Sequence, residues 1–398
     1  LFQPAEVLPD DTGVTIRNRR LFETLDDLML AWSTELNGEV MDSGLATLPT
    51  IKPDEKAHVE LPLELPEDAG EVTLTCRLVA KEDGAFFRRE EEVAIGQTIL
   101  READMPLAKA PCAEGVVKGY FNVGMHNDRL SALFTFAKNG LTSLKNAAGK
   151  EMLLQAPKLS LFRAPTDNDR GNGDSNRQAI WHVLSEHAFM QIEKIDVQPD
   201  SLTVVCKYSH PLLPNCDIFV TYVCDEADSV KVTVDYPGAP NQSDLPAFGL
   251  SFQLDASLKH VDYYGMGPME TYADRCSGAV LGRYHYEVAE NMVPYMKPQE
   301  CGNRMGVRTL SVTDDAGAGV VVEAMDAPLE ISVLPWTAEQ IEAAGHYDEL
   351  QGSCRTVLDI ALKRKGVGGD DSWGAPVQPE FCIPSDQPMK FSFKLKVK

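Results

Sequence analysis

A length of 398 residues suits two or three domains, and 43% hydrophobic with 24% charged residues is the balance of a globular protein with ample core material. With 37 basic against 60 acidic residues the formal net charge is −23 and the pI near 4.7. Such a field repels phosphate backbones and anionic lipid, which excludes nucleic acid and membrane surfaces as expected partners; solubility alone accounts for it. No apolar run approaches the ~18 residues that cross a bilayer, and no basic-then-apolar signal opens the chain. The first residue is Leu1 rather than Met, so the expectation is a piece of something longer, whose leader peptide, if any, would lie upstream.

In chain order, the first hundred residues hold about seven short strand candidates, enough for one immunoglobulin-like sandwich. Val72, Leu74, Cys76, Leu78 and Ala80 alternate with Thr73, Thr75 and Arg77, the period of a half-buried antiparallel strand, and Asp83-Gly84 follows as a turn. Met105 to Pro111 breaks the pattern with two prolines, as a linker would. From Val116 onward there is no comparable break: the remainder is either one very large sandwich or two fused ones. Asn139-Gly140, Pro237-Gly238 and Asp314 to Gly317 are turn signals along it. Ile180, Val183, Leu184 and His187 predict a short helix within Asn176 to Met190. Thr337-Ala338-Glu339-Gln340 is a capping box opening a brief helix that Gly345 ends. Val230, Val232, Val234 and Tyr236 alternate with Lys231, Thr233 and Asp235; Phe391, Phe393, Leu395 and Val397 alternate with Ser392, Lys394, Lys396 and Lys398.

The nine cysteines (76, 112, 206, 216, 224, 276, 301, 354 and 382) are scattered and never spaced C-x-x-C, so reduced thiols in a cytoplasmic protein are expected rather than a disulfide framework or a zinc site. Of eight histidines only His182 and His187 are close, at a spacing that suits no metal on one helix face. There is no G-x-S-x-G elbow and no cysteine with a nearby histidine partner.

Four segments are too rich in Gly, Pro, Asp, Asn and Arg to be plain strands. Arg163 to Gly171 (RAPTDNDRG), continuing to Asn176, is either a functional loop or an Asx loop whose carboxylates are satisfied by its own backbone and arginines. Tyr264 to Arg275 places Glu270 and Asp274 as candidate paired carboxylates beside Arg275, with an ion pair the plainer expectation; Pro268 spoils any anion cradle. Pro294 to Arg304 fits a sugar-binding lip or, more plainly, a crossing between sheets. Gly366 to Trp373 (GVGGDDSW) sets a tryptophan on a Gly-rich polar loop, where an indole suits stacking on a sugar face better than core packing.

These four segments, in this order, resemble the C-terminal region of the large bacterial β-galactosidases of glycoside hydrolase family 2. RAPTDNDRG, GMGPMETYADR, PYMKPQECGNR and GVGGDDSW carry the resemblance over residues 116–398. The Phe22-to-Trp32 segment and His58 to Pro62 extend it, more weakly, to the preceding immunoglobulin-like domain. The implied fold is all-β: an immunoglobulin-like β-sandwich (1–103), a linker (104–115) and a large antiparallel β-supersandwich (116–398), the family's domains four and five.

That family's central (β/α)8 barrel carries both catalytic glutamates. A barrel needs ~250 residues of alternating strand and helix, and this chain has nothing like it. The resemblance therefore implies no catalytic residue and no metal ligand here, with Mg and Na expected in the absent part of the full enzyme. It implies a substrate-binding role for Trp373, which matches the tryptophan that stacks on the sugar. Gly171 matches the glycine that starts a mobile loop closing over the site, so Gly171, Asn172, Gly173 and Asp174 are expected near the pocket. Residues beyond Gly171 depart from the commonest family pattern, and individual closing contacts are not carried over.

The functional expectation is the C-terminal portion of an enzyme hydrolysing terminal β-D-galactosides such as lactose, inactive in isolation and completed by the barrel of the same or a partner chain. The whole is expected to be a cytoplasmic homo-oligomer. The alternatives are a stand-alone carbohydrate-binding or scaffold module, and the small subunit of a heteromeric β-galactosidase.

Overall fold

A computed structural model describes residues 2–84, 86–103, 115–136, 140–350 and 352–398. The chain forms two compact units, Leu1–Pro106 with Ser277–Arg283, and Leu107–Cys276 with Tyr284–Lys398. Apart from Gly115, the linker expected at 104–115 lies outside the described residues, as do Cys112 and the Asn139 of the expected turn.

The first unit is a two-sheet antiparallel sandwich of seven strands. One sheet runs Ala5–Pro9, Gly13–Asn18, Lys56–Glu60; the other runs Glu39–Ala46, Leu28–Leu36, Val72–Ala80, Glu92–Arg101. Val72, Leu74, Cys76, Leu78 and Ala80 are buried, as their period-two spacing requires. Thr73 and Thr75, on the alternate face, are buried too. Together with Ser33 they donate hydroxyl hydrogen bonds of 2.6–3.1 Å to the buried Glu35 carboxylate, so the polar face is satisfied internally rather than by water. Ser277–Arg283 groups with this unit although it lies far along the chain. The Gln97 amide brackets Leu281, donating to its carbonyl and accepting from its N–H at 2.7 Å each, and Arg283 Nε donates to the Asn37 carbonyl at 2.9 Å.

The second unit has three antiparallel sheets around one core. A nine-stranded sheet runs Phe189–Val197, Leu202–His210, Leu213–Cys224, Ser229–Tyr236, Met389–Val397, Gly319–Ala324, Thr309–Thr313, His260–Gly267, Val280–Glu287, the last strand belonging to this unit from Tyr284 onward. A five-stranded sheet runs Lys158–Ser160, Ala247–Asp255, Arg355–Arg364, Leu329–Leu334, Asn303–Val307; a four-stranded one runs Gly140–Asn146, Leu130–Thr135, Asn122–His126, Val116–Lys118. Val230, Val232 and Val234 pair with Leu395, Phe393 and Phe391 and turn one continuous apolar face inward. Across the gap, Phe248 meets Phe391 edge-to-face at 5.4 Å between ring centroids, and Phe252 meets Phe393 at 6.3 Å, a favourable aromatic geometry. Phe134 of the four-stranded sheet reaches Tyr222 at 5.3 Å. Residues of all three sheets share one apolar cluster.

Lys394, read from alternation as a polar-face residue, is only 2% exposed, because its ammonium pairs with the Glu226 carboxylate at 2.8 Å. Burial alone would raise that carboxyl, but Lys394 and the Ser229 hydroxyl hold it below the ordinary carboxylate range.

Among the described residues, four short α-helices interrupt the sheets: α1 (Asp167–Asn172), α2 (Asp174–Arg177), α3 (Ala179–His187) and α4 (Ala338–Ala343). The capping box at Thr337 and Gln340 is present. Helix α3 lies within the predicted span, yet it buries Trp181 and Leu184 rather than the whole 180/183/184/187 set; His187 is exposed. The indole N–H of Trp181 donates to Ser243, so that side chain can be buried without an orphan donor. None of the described helices is long and apolar enough to cross a membrane.

Phe248→Ala should remove an inter-sheet anchor and cost ~3–5 kcal/mol in denaturant unfolding, whereas Phe189→Ala, at an exposed position, should stay within about 0.5 kcal/mol. Equal losses at the two positions would contradict this packing scheme.

Candidate functional site

The site is built from the four unusual segments, which fold against one another in the second unit. The first begins with a cap. Thr166 Oγ1 accepts from the Asp169 N–H, and Asp169 Oδ2 accepts from the Thr166 N–H, a reciprocal capping box that starts helix α1. Asp169 also pairs with the buried Arg163 guanidinium at 3.0 Å, so this carboxylate is satisfied within its own segment, whereas Asp167 accepts from Gln299 Nε2 of the third segment at 3.1 Å. Residues 167–177 are two short helices rather than an open loop: Gly173, at φ +81°, ends α1 and opens α2, a left-handed conformation that glycine adopts without strain.

Asp174 accepts from the Lys365 ammonium at 2.8 Å and from Arg177 at 2.5 Å. Burial would raise its carboxyl, but Lys365 and Arg177 together hold it below the ordinary range. Asn172 Oδ1 accepts from the Asp174 N–H at 2.8 Å. Lys365 immediately precedes the fourth segment, so this pair ties α2 to the strand from which the tryptophan loop emerges.

The fourth segment is a loop shaped by carboxylates. Asp274 Oδ1 and Oδ2 accept from the N–H groups of Val367 and Gly368 at 3.0 and 2.7 Å. Asp371 Oδ1 accepts from Ala375, Trp373 and Gly374 N–H at 2.9, 2.9 and 3.1 Å. These backbone donors, Ala375 first, hold the Asp371 carboxyl below its ordinary value. Arg163 Nη2 donates to the Gly366 carbonyl at 3.0 Å, and Asn168 Nδ2 to the Asp371 carbonyl at 3.0 Å. Gly171 and Gly374 touch backbone to backbone. A Cβ on Gly171 would sit 2.9 Å from the Trp373 oxygen, and one on Gly374 2.7 Å from the Gly171 carbonyl carbon. Trp373 itself is 85% exposed.

Beneath these loops the second and third segments meet. Glu270 forms the expected ion pair with Arg275 and accepts from the Gly302 N–H at 2.5 Å. Asp274 does not join that pair, because its two oxygens are taken by Val367 and Gly368. The third segment is the expected crossing: it leads from the nine-stranded sheet into Asn303–Val307 of the five-stranded one. Its Glu300 accepts from Tyr272 Oη at 3.1 Å and from Arg364 Nη1 at 3.2 Å. Burial raises the Glu300 carboxyl, partly offset by Arg364 and Arg163. Arg364 also donates to Asp359. Glu330 accepts from Asn303 Nδ2 at 3.0 Å and from the Arg364 N–H at 3.1 Å; burial pushes its carboxyl up to about 7.

The structure thus brings Gly171, Asn172, Gly173, Asp174 and Trp373 into one cluster. Sequence reasoning missed Lys365, Arg364 and the roles of Asn168 and Asp274; the one local signal was two basic residues closing an apolar strand just before a glycine loop. Among the described residues no group of three or more His, Cys, Asp or Glu is arranged to hold a metal ion. Glu270 and Asp274, the candidate paired carboxylates, already have structural partners. What the arrangement offers is an indole on a braced loop.

The profile of the β-galactosidase small chain matches residues 126–395. The chain belongs to the β-galactosidase small-chain family. The profile of β-galactosidase domain 4 matches residues 14–101. A β-galactosidase of Halalkalibacterium halodurans is 34% identical over 99% of this chain and 39% of its own length; one of Streptococcus thermophilus is 34% identical over 100% and 38%. The chain therefore spans about two-fifths of those relatives. A β-galactosidase small subunit of Latilactobacillus sakei is 30% identical over 70% of this chain and 96% of its own length.

Glu330 gives the site's foundation a pH signature. The folded chain keeps this proton up to about pH 7, whereas the unfolded chain releases it near the ordinary 4.5. Between those values the folded state binds more protons, so this contribution to stability is present below pH 4.5 and is lost as pH rises through 7. Relative to Glu330→Gln, the native chain should lose on the order of 2–4 kcal/mol of unfolding free energy between pH 4.5 and pH 8. A difference independent of pH would contradict this assignment.

Proposed function

We propose that this chain is the C-terminal part of a β-galactosidase acting on terminal β-D-galactosides such as lactose, and that it supplies a sugar-stacking surface to a pocket whose catalytic groups lie on a barrel. The observation that carries this reading is Trp373. An indole that is 85% exposed at the end of a loop tied down by two other segments has no packing task of its own. Its flat apolar face suits the apolar face of a pyranose, and burial of that contact is worth ~1–3 kcal/mol. Gly171, Asn172, Gly173 and Asp174 form the rim beside it.

A retaining hydrolysis needs an acid and a nucleophile ~5 Å apart. Glu270 and Glu300 are bonded to Arg275 and Arg364, which supports a reading in which the reacting carboxylates lie on the barrel and any Mg or Na in the rest of the full enzyme. The barrel stands on the same polypeptide or on a partner. The small-subunit relative, aligned over nearly its whole length, supports the second arrangement as an alternative to the first. Eight free cysteines among the described residues accord with a cytoplasmic setting, and homo-oligomerisation is part of the same reading.

The chain alone should not hydrolyse a chromogenic β-galactoside. Turnover that survives removal of contaminating host enzyme would overturn the division of labour. In the complete enzyme, Trp373→Ala should weaken galactoside binding about 5- to 150-fold while leaving the melting temperature unchanged. A large drop in melting temperature would show that packing had been mistaken for recognition.

A further inference from the structure

The exposed indole of Trp373 is not oriented by side chains packed on it, so its location depends on the backbone from Asp371 to Ala375. The three N–H groups bonded to Asp371 Oδ1 give that turn its shape. Bonds within a turn cannot say where the turn sits on the protein. That task falls to contacts from outside it.

The root of the loop is held by Asp274 on Val367 and Gly368. At the tip, Asn168 of helix α1 directs its amide nitrogen to the carbonyl of Asp371 at 3.0 Å and towards that of Ala375 at 3.4 Å. One amide with two N–H donors thus faces two carbonyl acceptors, one at each end of the turn that carries Trp373. The neighbouring Gly171–Gly374 contact sets how closely helix and turn approach, but van der Waals contact permits sliding and a pair of directed hydrogen bonds does not.

We infer that Asn168 is a positioning residue: it fixes the turn bearing Trp373 and sets galactoside affinity through that indole. The inference rests on the sugar-stacking reading of Trp373 and adds to it the group that places the stack. Asn168→Asp keeps the size of the side chain but points a carboxylate at two carbonyl oxygens. A space-filling role would survive this change, whereas a donor role would not.

The test uses the complete β-galactosidase that includes this chain, with a non-hydrolysable β-thiogalactoside as probe. Asn168→Ala should weaken binding about three- to tenfold, the loss of one to two net hydrogen bonds. Asn168→Asp should do so at least equally, and both should leave the melting temperature nearly unchanged. In a Trp373→Ala background neither should weaken binding further, because the group being positioned is gone.

If Trp373→Ala alone leaves binding unchanged, the stacking reading fails and this inference with it. If Trp373→Ala weakens binding but Asn168→Asp binds like the native enzyme, or its loss persists undiminished without Trp373, the positioning role is overturned while the stacking reading stands.

Discussion

Two buried guanidinium groups, Arg163 and Arg364, are the constraint on which the candidate site depends. Stripping such charges of water costs several kcal/mol each unless carboxylates and carbonyls replace it. Here the replacements come from three of the site's four segments: Asp169 from the first, Glu300 from the third and the Gly366 carbonyl from the fourth, while Tyr272 of the second is bonded to the same Glu300. Side-chain exposures of 2% for Arg364 and 6% for Glu300 leave little water to compensate for a displaced partner. The loops are therefore held jointly, and a shift of one leaves a buried charge uncompensated in another.

This arrangement explains how long polar loops come to carry a precise surface. The broad apolar core of the second unit fixes the strand ends at Arg364 and Asn303, and the buried charges pass that rigidity on to the loops that follow. Asp274 and Asn168 finish the task at the surface. A turn held this way loses little backbone freedom when a ligand arrives, which on the proposed reading favours binding without any added contact.

The β architecture was largely legible, since alternation such as Val230 to Tyr236 is a local property of the chain and burial follows it. The capping box at Thr337 was legible for the same reason. The polar segment from Asp167 to Arg177 was harder: its Asp, Asn and Gly content matches a loop, and only the cap at Thr166 with the left-handed Gly173 turns it into two helices. Partners far along the chain left no local trace. Asp274 had Arg275 beside it yet bonds to residues about ninety positions away. Lys394 lay on a face that alternation marks as polar, and Glu226, 168 positions away in sequence, makes it a buried one. Trp373 could be read as exposed because its neighbours are glycines and aspartates with nothing apolar to cover it.

Amide hydrogen exchange on this chain tests the joint bracing of the loop most directly. The N–H groups of Val367, Gly368, Trp373, Gly374 and Ala375 lie in a glycine-rich surface loop, where an unbraced chain would exchange freely. Held by Asp274 and Asp371, with Arg163 and Asn168 behind them, they should exchange at least about tenfold more slowly than in an unstructured peptide. Exchange at the free-peptide rate would mean that the four segments do not hold the tryptophan loop in place.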